Sequence, residues 1–343
     1  MNSRELIKKV ILFDNAPRIG YDFSGEDQFS DFVHVSPRIE YHIDYEWHKS
    51  EYFVKDYPEF KDFRGYLRKD EYGNLWGKAP QDPSKQGEVV KGALSSWDML
   101  NSFEMPPIDD KSRYDHIPDK ISKYPDKFRI GSLPGMPFAI MRKLRKMENF
   151  LADVILEKEN VMKLSSIVEE KLCNMIDIYA SFDIDGIFFC EDWGTQDRLL
   201  INPELWRKLF KPAYEKICKL AHSHNMFVFM HSCGYIYEIL EDLIEAGIDV
   251  FQFDQPTLMG MDRISEIFNG RATLFSSVDI QRVLPTGDKE LIEKNARDLV
   301  EKFFVKGGGF IARDYGDYPT IHVKPEWAQW MRDEFYKVGG YYK

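Results

Sequence analysis

From residue 127 onward, short apolar runs alternate with long helical patterns, and this alternation limits the possible folds more than any other feature of the sequence. The apolar runs are KFRIGSL, DGIFFCED, MFVFMHSCG, IDVFQFDQ, ATLFSSVD and GGGFIARDY. Segments with helical spacing lie between them, among them PELWRKLFKPAYEKICKLAHSH and KELIEKNARDLVEKFFVKG. Strands that alternate with helices are typical of a parallel β-sheet.

Two further apolar stretches, PRIGYDFS (17–24) and DFVHVSPRIE (31–40), precede this region and bring the predicted strands to eight. Eight strands that alternate with helices can close into a (β/α)8 TIM barrel. We therefore predict this α/β fold for the chain.

Region 41–126 interrupts the alternation and is rich in Tyr, Trp, Pro and charged residues. Within it, KDEYGNLWGK (69–78) predicts a β-hairpin that turns at Gly73–Asn74. We predict a single barrel domain over residues 1–343, with 41–126 as an inserted N-terminal elaboration packed near one end of the barrel.

Composition excludes several classes of protein. The chain has 343 residues, of which 43% are hydrophobic, and this is ample for a buried core. Its formal net charge is -11 and no cluster of Lys and Arg is present, so we expect no nucleic-acid partner. The opening MNSRELIKKV is polar, and no run reaches about 18 apolar residues, so we expect a cytoplasmic protein without a membrane partner. The four cysteines lack a disulfide-like spacing and are expected to be reduced.

Polar and acidic residues follow nearly every predicted strand. In TIM barrels the chemistry takes place at the carboxyl ends of the strands. We therefore expect these side chains to surround a common site at the barrel mouth. They are Asp22, Glu191, Asp192, Trp193, His231, Cys233, Asp254, Gln255, Asp279, Gln281, Arg313, Asp314, Tyr315 and Asp317.

His231 and Cys233 are two residues apart at a predicted strand end, so their side chains face the same way. Imidazole and thiolate together suit Zn²⁺, and a catalytic zinc site takes three protein ligands and keeps one open position. The third ligand must then come from elsewhere in the chain. The same two residues also fit a hydrogen-bonded core histidine and a small buried cysteine.

Three aspartates, Asp192, Asp254 and Asp279, are predicted to act in catalysis. Carboxylates that converge on a partly dry cavity raise each other's pKa, so one of them could serve as a general acid. We favour Asp192 over Glu191, because adjacent strand residues face opposite ways. All of these acidic residues also fit helix caps, although the helix near Pro203 begins about ten residues after Asp192.

Five residues are predicted to contact the substrate. Trp193 and Tyr315 fit aromatic core packing equally well. The five are Glu191, Trp193, Gln255, Arg313 and Tyr315.

The chain resembles the uroporphyrinogen decarboxylase superfamily, and within it the corrinoid-dependent methyltransferases. The motifs that carry this resemblance occur along almost the full length. They are SRELIKKVILFDNAPRI, DEYGNLWGK, RKMENFLADVI, CEDWGTQ, INPELWRKLFKPAYEKICKLAHSHNMFVFMHSCGYI and FSSVDIQRVLP. The resemblance implies a (β/α)8 barrel with its site at the mouth.

The resemblance also implies a ligand set for zinc. Members of the methyltransferase branch often carry His-x-Cys and a later Cys, and His231 and Cys233 match the first two positions. This chain has no cysteine at the third position. Asp314 and Asp317 are the nearest substitutes, with His322 further on, so a mixed set of ligands, a weaker site and a site without metal all remain open.

The porphyrinogen decarboxylases carry an Arg-x-x-Gly-Arg-Tyr segment that binds substrate carboxylates. The corresponding PRIGYDFSGED has one arginine, Arg18, followed by three acidic residues. This difference favours the methyltransferase branch and a neutral substrate such as a methoxylated aromatic. Because the chain has no Asp-x-His-x-x-Gly segment for cobalamin, the resemblance implies a separate corrinoid protein as partner. The alternatives are a metal-independent decarboxylase or lyase of a small carboxylate, and a non-catalytic binding barrel.

Overall fold

The computed structural model describes residues 1–23, 30–38, 46–82 and 87–340. It divides into two compact units. The first comprises Met1–Ser36, Asp115–Pro134 and Cys173–Lys343, and the second comprises Pro37–Tyr114 and Gly135–Leu172. The second unit thus includes residues that follow the predicted elaboration, and the single-domain organisation stays a prediction.

The described residues form twelve strands and eleven α-helices. The strands are β1 (Gly20–Asp22), β2 (Phe32–Val35), β3 (His48–Lys49), β4 (Tyr66–Lys69), β5 (Leu75–Lys78), β6 (Glu88–Lys91), β7 (Phe128–Ser132), β8 (Gly186–Cys190), β9 (Phe227–His231), β10 (Val250–Phe253), β11 (Thr273–Ser276) and β12 (Phe310–Arg313). The helices are α1 (Ser3–Leu12), α2 (Ile117–Ser122), α3 (Pro137–Leu144), α4 (Met147–Leu156), α5 (Lys158–Ala180), α6 (Pro203–Leu209), α7 (Lys211–Ser223), α8 (Leu240–Ala246), α9 (Met261–Phe268), α10 (Lys289–Phe303) and α11 (Pro325–Val338).

Eight parallel strands in the first unit form a nearly closed barrel, which confirms the predicted fold. Their order is β1-β12-β11-β10-β9-β8-β7-β2. Strands β1 and β12, the first and last barrel strands along the chain, pair with each other, and Gly20 lies opposite Ile311. Between β1 and β2, the Asp31 amide donates to the Tyr21 carbonyl at 2.8 Å. The six predicted strands after residue 127 and the two before residue 41 all contribute, although residues 24–29 and 39–45 lie outside the described ones.

Alternate residues of the barrel strands point into the core. Members of this core include Phe32, Phe128, Ile130, Phe229, Val250, Phe275 and Ile311. Helix α1 packs Leu6, Ile7, Val10 and Ile11 against the same cluster. Because side chains alternate with a period of two, the next residues on this inward face lie toward the carboxyl ends of the strands. They are Asp22, His34, Ser132, Cys190, His231, Gln252 and Arg313.

The helices of the first unit begin and end at residues suited to those positions. Asn2 caps α1, where its Oδ1 accepts from the Glu5 amide at 2.9 Å. Asn202 caps α6 in the same way, with 2.8 Å to the Glu204 amide. Helix α8 ends at Gly247, whose φ of 109° favours glycine.

The second unit contains an antiparallel sheet in the order β3-β4-β5-β6. Strands β4 and β5 form the predicted hairpin, whose turn runs over Asp70–Gly73 instead of Gly73–Asn74. The Asp70 carboxylate fixes this turn by accepting from the Asn74 amide at 2.8 Å and the Trp76 indole at 2.7 Å. Among the helices that the structure describes, none combines the length and apolarity needed to cross a membrane.

Candidate metal centre

The loops that follow β8 and β9 are held together at the barrel mouth. In the parallel ladder, Cys190 lies opposite His231, so the residues two further along each chain also lie side by side. The Cys233 amide donates to Asp192 Oδ1 at 2.9 Å. Gly234 has a φ of 80°, and a Cβ there would lie 2.4 Å from the Gly194 carbonyl carbon, so only glycine fits this close approach.

Three possible metal ligands converge at this point. Each of Asp192, His231 and Cys233 offers a ligand atom within 4.8 Å of the other two. Cys233 Sγ lies 3.2 Å from His231 Nε2, and His231 Nε2 lies 3.5 Å from Asp192 Oδ1. The structure thus brings His231 and Cys233 together, as their spacing predicted, and places the carboxylate of Asp192 beside them.

Gln252 determines which nitrogen of His231 faces this group. The Gln252 side chain donates from Nε2 to Asp254 Oδ1 at 2.8 Å, and its Oε1 contacts His231 Nδ1. An amide oxygen only accepts, so Nδ1 must carry the proton. Nε2 then has a free lone pair that faces Cys233 and Asp192, which is the tautomer that binds a metal.

The charges around Cys233 oppose its ionisation in the absence of a cation. Burial raises the pKa of this thiol, and the negative charges of Asp192 and Asp254 raise it further. A divalent cation would supply the missing positive charge, because thiolate, imidazole and carboxylate all bind Zn²⁺. The donor set therefore fits zinc with three protein ligands.

Tyr315 connects the three possible ligands with a cavity. Burial raises the pKa of this phenol, and the nearby charges of Asp254 and Cys233 add to the effect. Tyr315 also lines a cavity of about 590 Å³. Other residues around this cavity include Asp22, Phe32, His34, Ser132, Phe188, Phe275, Arg313 and Asp314. This volume lies in the usual range for sites that bind small molecules.

Asp314 and Asp317 do not join the three possible ligands, contrary to the expectation that this loop supplies the oxygen ligand. Arg332 donates to Asp314 Oδ2 at 2.6 Å, and the Tyr318 hydroxyl donates to Oδ1 at 2.7 Å. Asp317 Oδ2 accepts from Thr320 at 2.8 Å. An ion pair with a helix residue therefore holds Asp314 away from His231 and Cys233.

Glu191 and Trp193 are placed on the side of the strand opposite Asp192. Both side chains are fully buried, and the Trp193 indole donates to the Tyr214 hydroxyl at 2.8 Å. The Trp193 ring packs edge-on against Phe210 at 4.9 Å between centroids. Trp193 thus takes part in core packing, and this placement does not support a stacking contact with a substrate.

Asp279 and Gln255 differ in whether their side-chain oxygens already accept hydrogen bonds within the protein. Asp279 accepts from Thr257 and, at 2.9 and 2.8 Å, from the amides of Gln281 and Arg282, so it fixes a turn and is not placed for catalysis. Gln255 has a buried Oε1 without a partner among the described residues. This unsatisfied acceptor supports its predicted contact with a substrate.

Sequence reasoning missed Gln252 and His34, whereas Asp22 was among the predicted strand-end residues. His34 Nε2 lies 2.8 Å from Asp22 Oδ2, and both residues line the cavity. The signal that could have found them is strand alternation. Gln252 is two residues after the buried Val250 and His34 is two residues after the buried Phe32, so each lies on the inward face of its strand.

Eight parallel strands with three possible metal ligands near their carboxyl ends define a TIM-barrel protein with a candidate metal centre. The family model described as "Uroporphyrinogen decarboxylase (URO-D)" matches residues 83–314, more than half of the chain. The chain belongs to the uroporphyrinogen decarboxylase family, as its motifs predicted.

Solved structures show how far the fold is shared. A methyltransferase from Methanosarcina mazei matches with a TM-score of 0.64 and 16% identity, covering 98% of this chain and 99% of that chain. At this identity the likeness shows the fold alone. A D-psicose 3-epimerase matches with a TM-score of 0.41 and 10% identity, covering 71% of this chain and 87% of its own. A D-tagatose 3-epimerase-like protein matches with a TM-score of 0.41 and 11% identity, covering 68% of this chain and 86% of its own. Neither epimerase match is close enough to support an argument about this protein. No curated protein matches the chain significantly.

Proposed function

We propose that the protein is an enzyme, a methyltransferase that moves a methyl group between a small methoxylated substrate and a corrinoid. The corrinoid is carried by a separate protein, and Zn²⁺ binds to Asp192, His231 and Cys233. The observation that carries this proposal is the convergence of the three ligand atoms within 4.8 Å. Family membership and the full-length fold likeness to a methyltransferase support it.

Three protein donors would leave the fourth position of a tetrahedral zinc ion for another ligand, as a catalytic zinc site requires. Zinc bound there would polarise a substrate ether oxygen or stabilise a substrate thiolate. The chain's own residues prepare the site in two ways. Gln252 keeps the Nε2 lone pair of His231 directed at the ligand group, and Asp192 fixes the Cys233 loop through the backbone amide.

Cleavage of a methyl ether requires a proton, because transfer of CH₃⁺ to cobalt(I) leaves an alkoxide or phenoxide behind. The sequence assigned this proton to Asp192, whose place among the ligand atoms now favours a role in metal binding. Tyr315 is better placed, because it lines the cavity and a phenol carries its proton at neutral pH. A positioned acid of this kind contributes about 10²–10⁴-fold to a rate.

Arg18 argues against decarboxylation of a porphyrinogen. Its guanidinium forms a two-point ion pair with the buried Asp31, at 2.7 and 2.8 Å. Arg18 also donates to the Ile19 carbonyl at 2.8 Å. A guanidinium held in this way is not available to bind the carboxylates of a tetrapyrrole.

Two measurements test the proposal. The first is elemental analysis of protein purified without chelator or added metal, where we expect one zinc per chain in the wild type and loss of zinc in Cys233→Ala. Cys173→Ala, which removes a thiol from α5, is the matched control and should retain zinc. Stoichiometric zinc in Cys233→Ala would overturn the metal assignment.

The second measurement is methyl transfer from methoxylated aromatics to free or protein-bound cob(I)alamin, with folding checked by circular dichroism. We expect turnover in the wild type and a loss of at least tenfold in Asp192→Asn. Unchanged turnover in this variant would remove Asp192 from the site, and no turnover in the zinc-loaded wild type would refute the methyltransferase proposal.

A further inference from the structure

The acidic residues that line the cavity are already paired with cationic or polar side chains. Asp22 accepts from the Ser30 hydroxyl at 2.9 Å and contacts His34 Nε2 at 2.8 Å. Asp314 is bound by Arg332 through both carboxylate oxygens, at 2.6 and 3.1 Å. The cavity is therefore less acidic than the sequence around its strand ends indicates.

Arg313 is different, because it lines the cavity and forms no ion pair with a carboxylate of the described residues, although its charge helps to lower the pKa of Asp22 on the neighbouring strand. Its Nε donates to the Asp314 backbone carbonyl at 2.8 Å, which fixes the side chain. The guanidinium carbon lies 5.2 Å from the centre of the Phe275 ring, at the distance of a cation–π contact. Among the residues that the structure describes, the two terminal nitrogens of Arg313 form no hydrogen bond or ion pair with a side chain.

The surroundings of Arg313 add an aromatic floor to this positive charge. Phe32 and Phe275 stack at 5.8 Å with an interplanar angle of 14°, and Phe188 lines the cavity beside them. A planar guanidinium presents its donors in a fork that matches a carboxylate. A flat apolar ring with a carboxylate therefore fits both features of the cavity.

Tyr315 links this cavity with the candidate metal centre. It lines the cavity, and the charges of Asp254 and Cys233 act on its phenol. The same residue thus lines the cavity and lies within electrostatic range of the candidate metal centre.

We infer that Arg313 binds the carboxylate of an aromatic acid, so that the methyl donor of the proposed reaction is a methoxylated aromatic acid. The second half of this inference rests on the proposed function, whereas the first half concerns binding alone. It replaces the neutral substrate expected from the sequence, because the sequence could not show that Arg332 neutralises Asp314.

The test compares binding of the three methoxybenzoate isomers with binding of the three methoxybenzamides, by isothermal titration calorimetry. The two sets have nearly the same shape and differ in charge. We expect the wild type to bind at least one benzoate about 10–100-fold more tightly than its amide, because hydrogen bonds to charged groups contribute this much. Arg313→Gln should lose this preference.

Arg282→Gln is the matched control, since it removes the same charge from an exposed position outside the cavity lining. It should keep the preference to within about threefold, because screened surface charges act weakly at a distance. If Arg313→Gln does not fold, the same binding comparison is made with Arg313→Lys. It retains the charge but loses the fork, and an intermediate preference is expected.

A wild type that binds benzoates and amides equally would overturn the inference, as would an Arg313→Gln protein that keeps the preference. Methyl transfer is measured separately with the preferred benzoate. A charge preference that depends on Arg313, combined with no methyl transfer, would retain the carboxylate site and refute the proposed function. Release of CO₂ from the same compound would then identify a decarboxylase.

Discussion

Replacing Gln252 with alanine is expected to lower the affinity of the candidate metal centre for Zn²⁺ by about tenfold, although Gln252 contacts no metal ligand atom. The wild-type amide accepts the proton of His231 Nδ1 and donates to Asp254. The side chain is 1% exposed, so both hydrogen bonds are made inside the protein. Its removal lets the imidazole ring change its tautomer and orientation.

The size of the loss in zinc affinity depends on which groups can still accept the proton of His231 Nδ1 when Gln252 is removed. Loss of a partner to a metal-bound histidine typically costs 10–100-fold in metal affinity, or about 1.4–2.8 kcal/mol. Asp254 Oδ2 already lies 3.9 Å from His231 Nδ1 and can move closer to accept its proton. We therefore expect the lower end of this range for Gln252→Ala, and about 100-fold for Gln252→Ala combined with Asp254→Ala.

The assay is a competition titration against a chromophoric zinc chelator at fixed pH. Gln255→Ala is the matched control, because it shortens a glutamine near the end of the same strand that has no contact with His231. Its zinc affinity should equal that of the wild type. Thermal unfolding of the metal-free proteins shows whether either change disturbs the fold.

Equal zinc affinity for Gln252→Ala and wild type would refute the tautomer argument. Equal losses for Gln252→Ala and Gln255→Ala would also count against it, because the effect would then be a general consequence of a cavity near the strand end. Only a loss confined to Gln252, and enlarged by the change at Asp254, agrees with the geometry.

Three further changes concern stability. Trp193→Phe should cost about 1–3 kcal/mol in the free energy of unfolding, because a buried hydrogen bond is lost, while substrate affinity stays unchanged in titrations. Asp185→Asn, which removes the buried carboxylate that pairs with Arg4 and Lys8 of α1, should cost about 2–3 kcal/mol in urea unfolding, against less than about 1 kcal/mol for the exposed Asp183→Asn. The hydrogen bond that His222 donates to Asp249 raises the pKa of His222, so the stabilisation from this pair is complete below about pH 6.5 and is lost as the pH rises through the folded-state pKa. The difference in unfolding temperature between wild type and His222→Gln should therefore shrink between pH 6 and 8.5, and a constant difference would contradict the assignment.

The barrel could be predicted because its information is local. Each strand is an apolar run of a few residues, and the helices between them follow a different period. The same local rule places His231 and Cys233 on one face. Their joint role in metal binding stays a proposal.

The oxygen donor could not be found in this way, because its position depends on pairing between elements. Asp314 follows its strand much as Asp192 does, yet Arg332 of the following helix α11 binds its carboxylate, which only the packing of that helix against the strand end reveals. The neighbour relation of β8 and β9 places Asp192 beside Cys233, and this follows from strand order only once the barrel is assumed. The burial of Trp193 depends in the same way on the packing of Phe210 and Tyr214.

Pairing of β1 with β12 has a consequence for how the chain folds during synthesis. Contacts between Gly20 and Ile311 join residues that are far apart in sequence, which raises the contact order and slows folding. Until residues 310–313 leave the ribosome, β1 has no neighbour on that edge and α1 lacks part of the core on which it packs. The nascent chain therefore carries an unpaired strand edge and an exposed apolar helix face, two features that promote aggregation and attract chaperones.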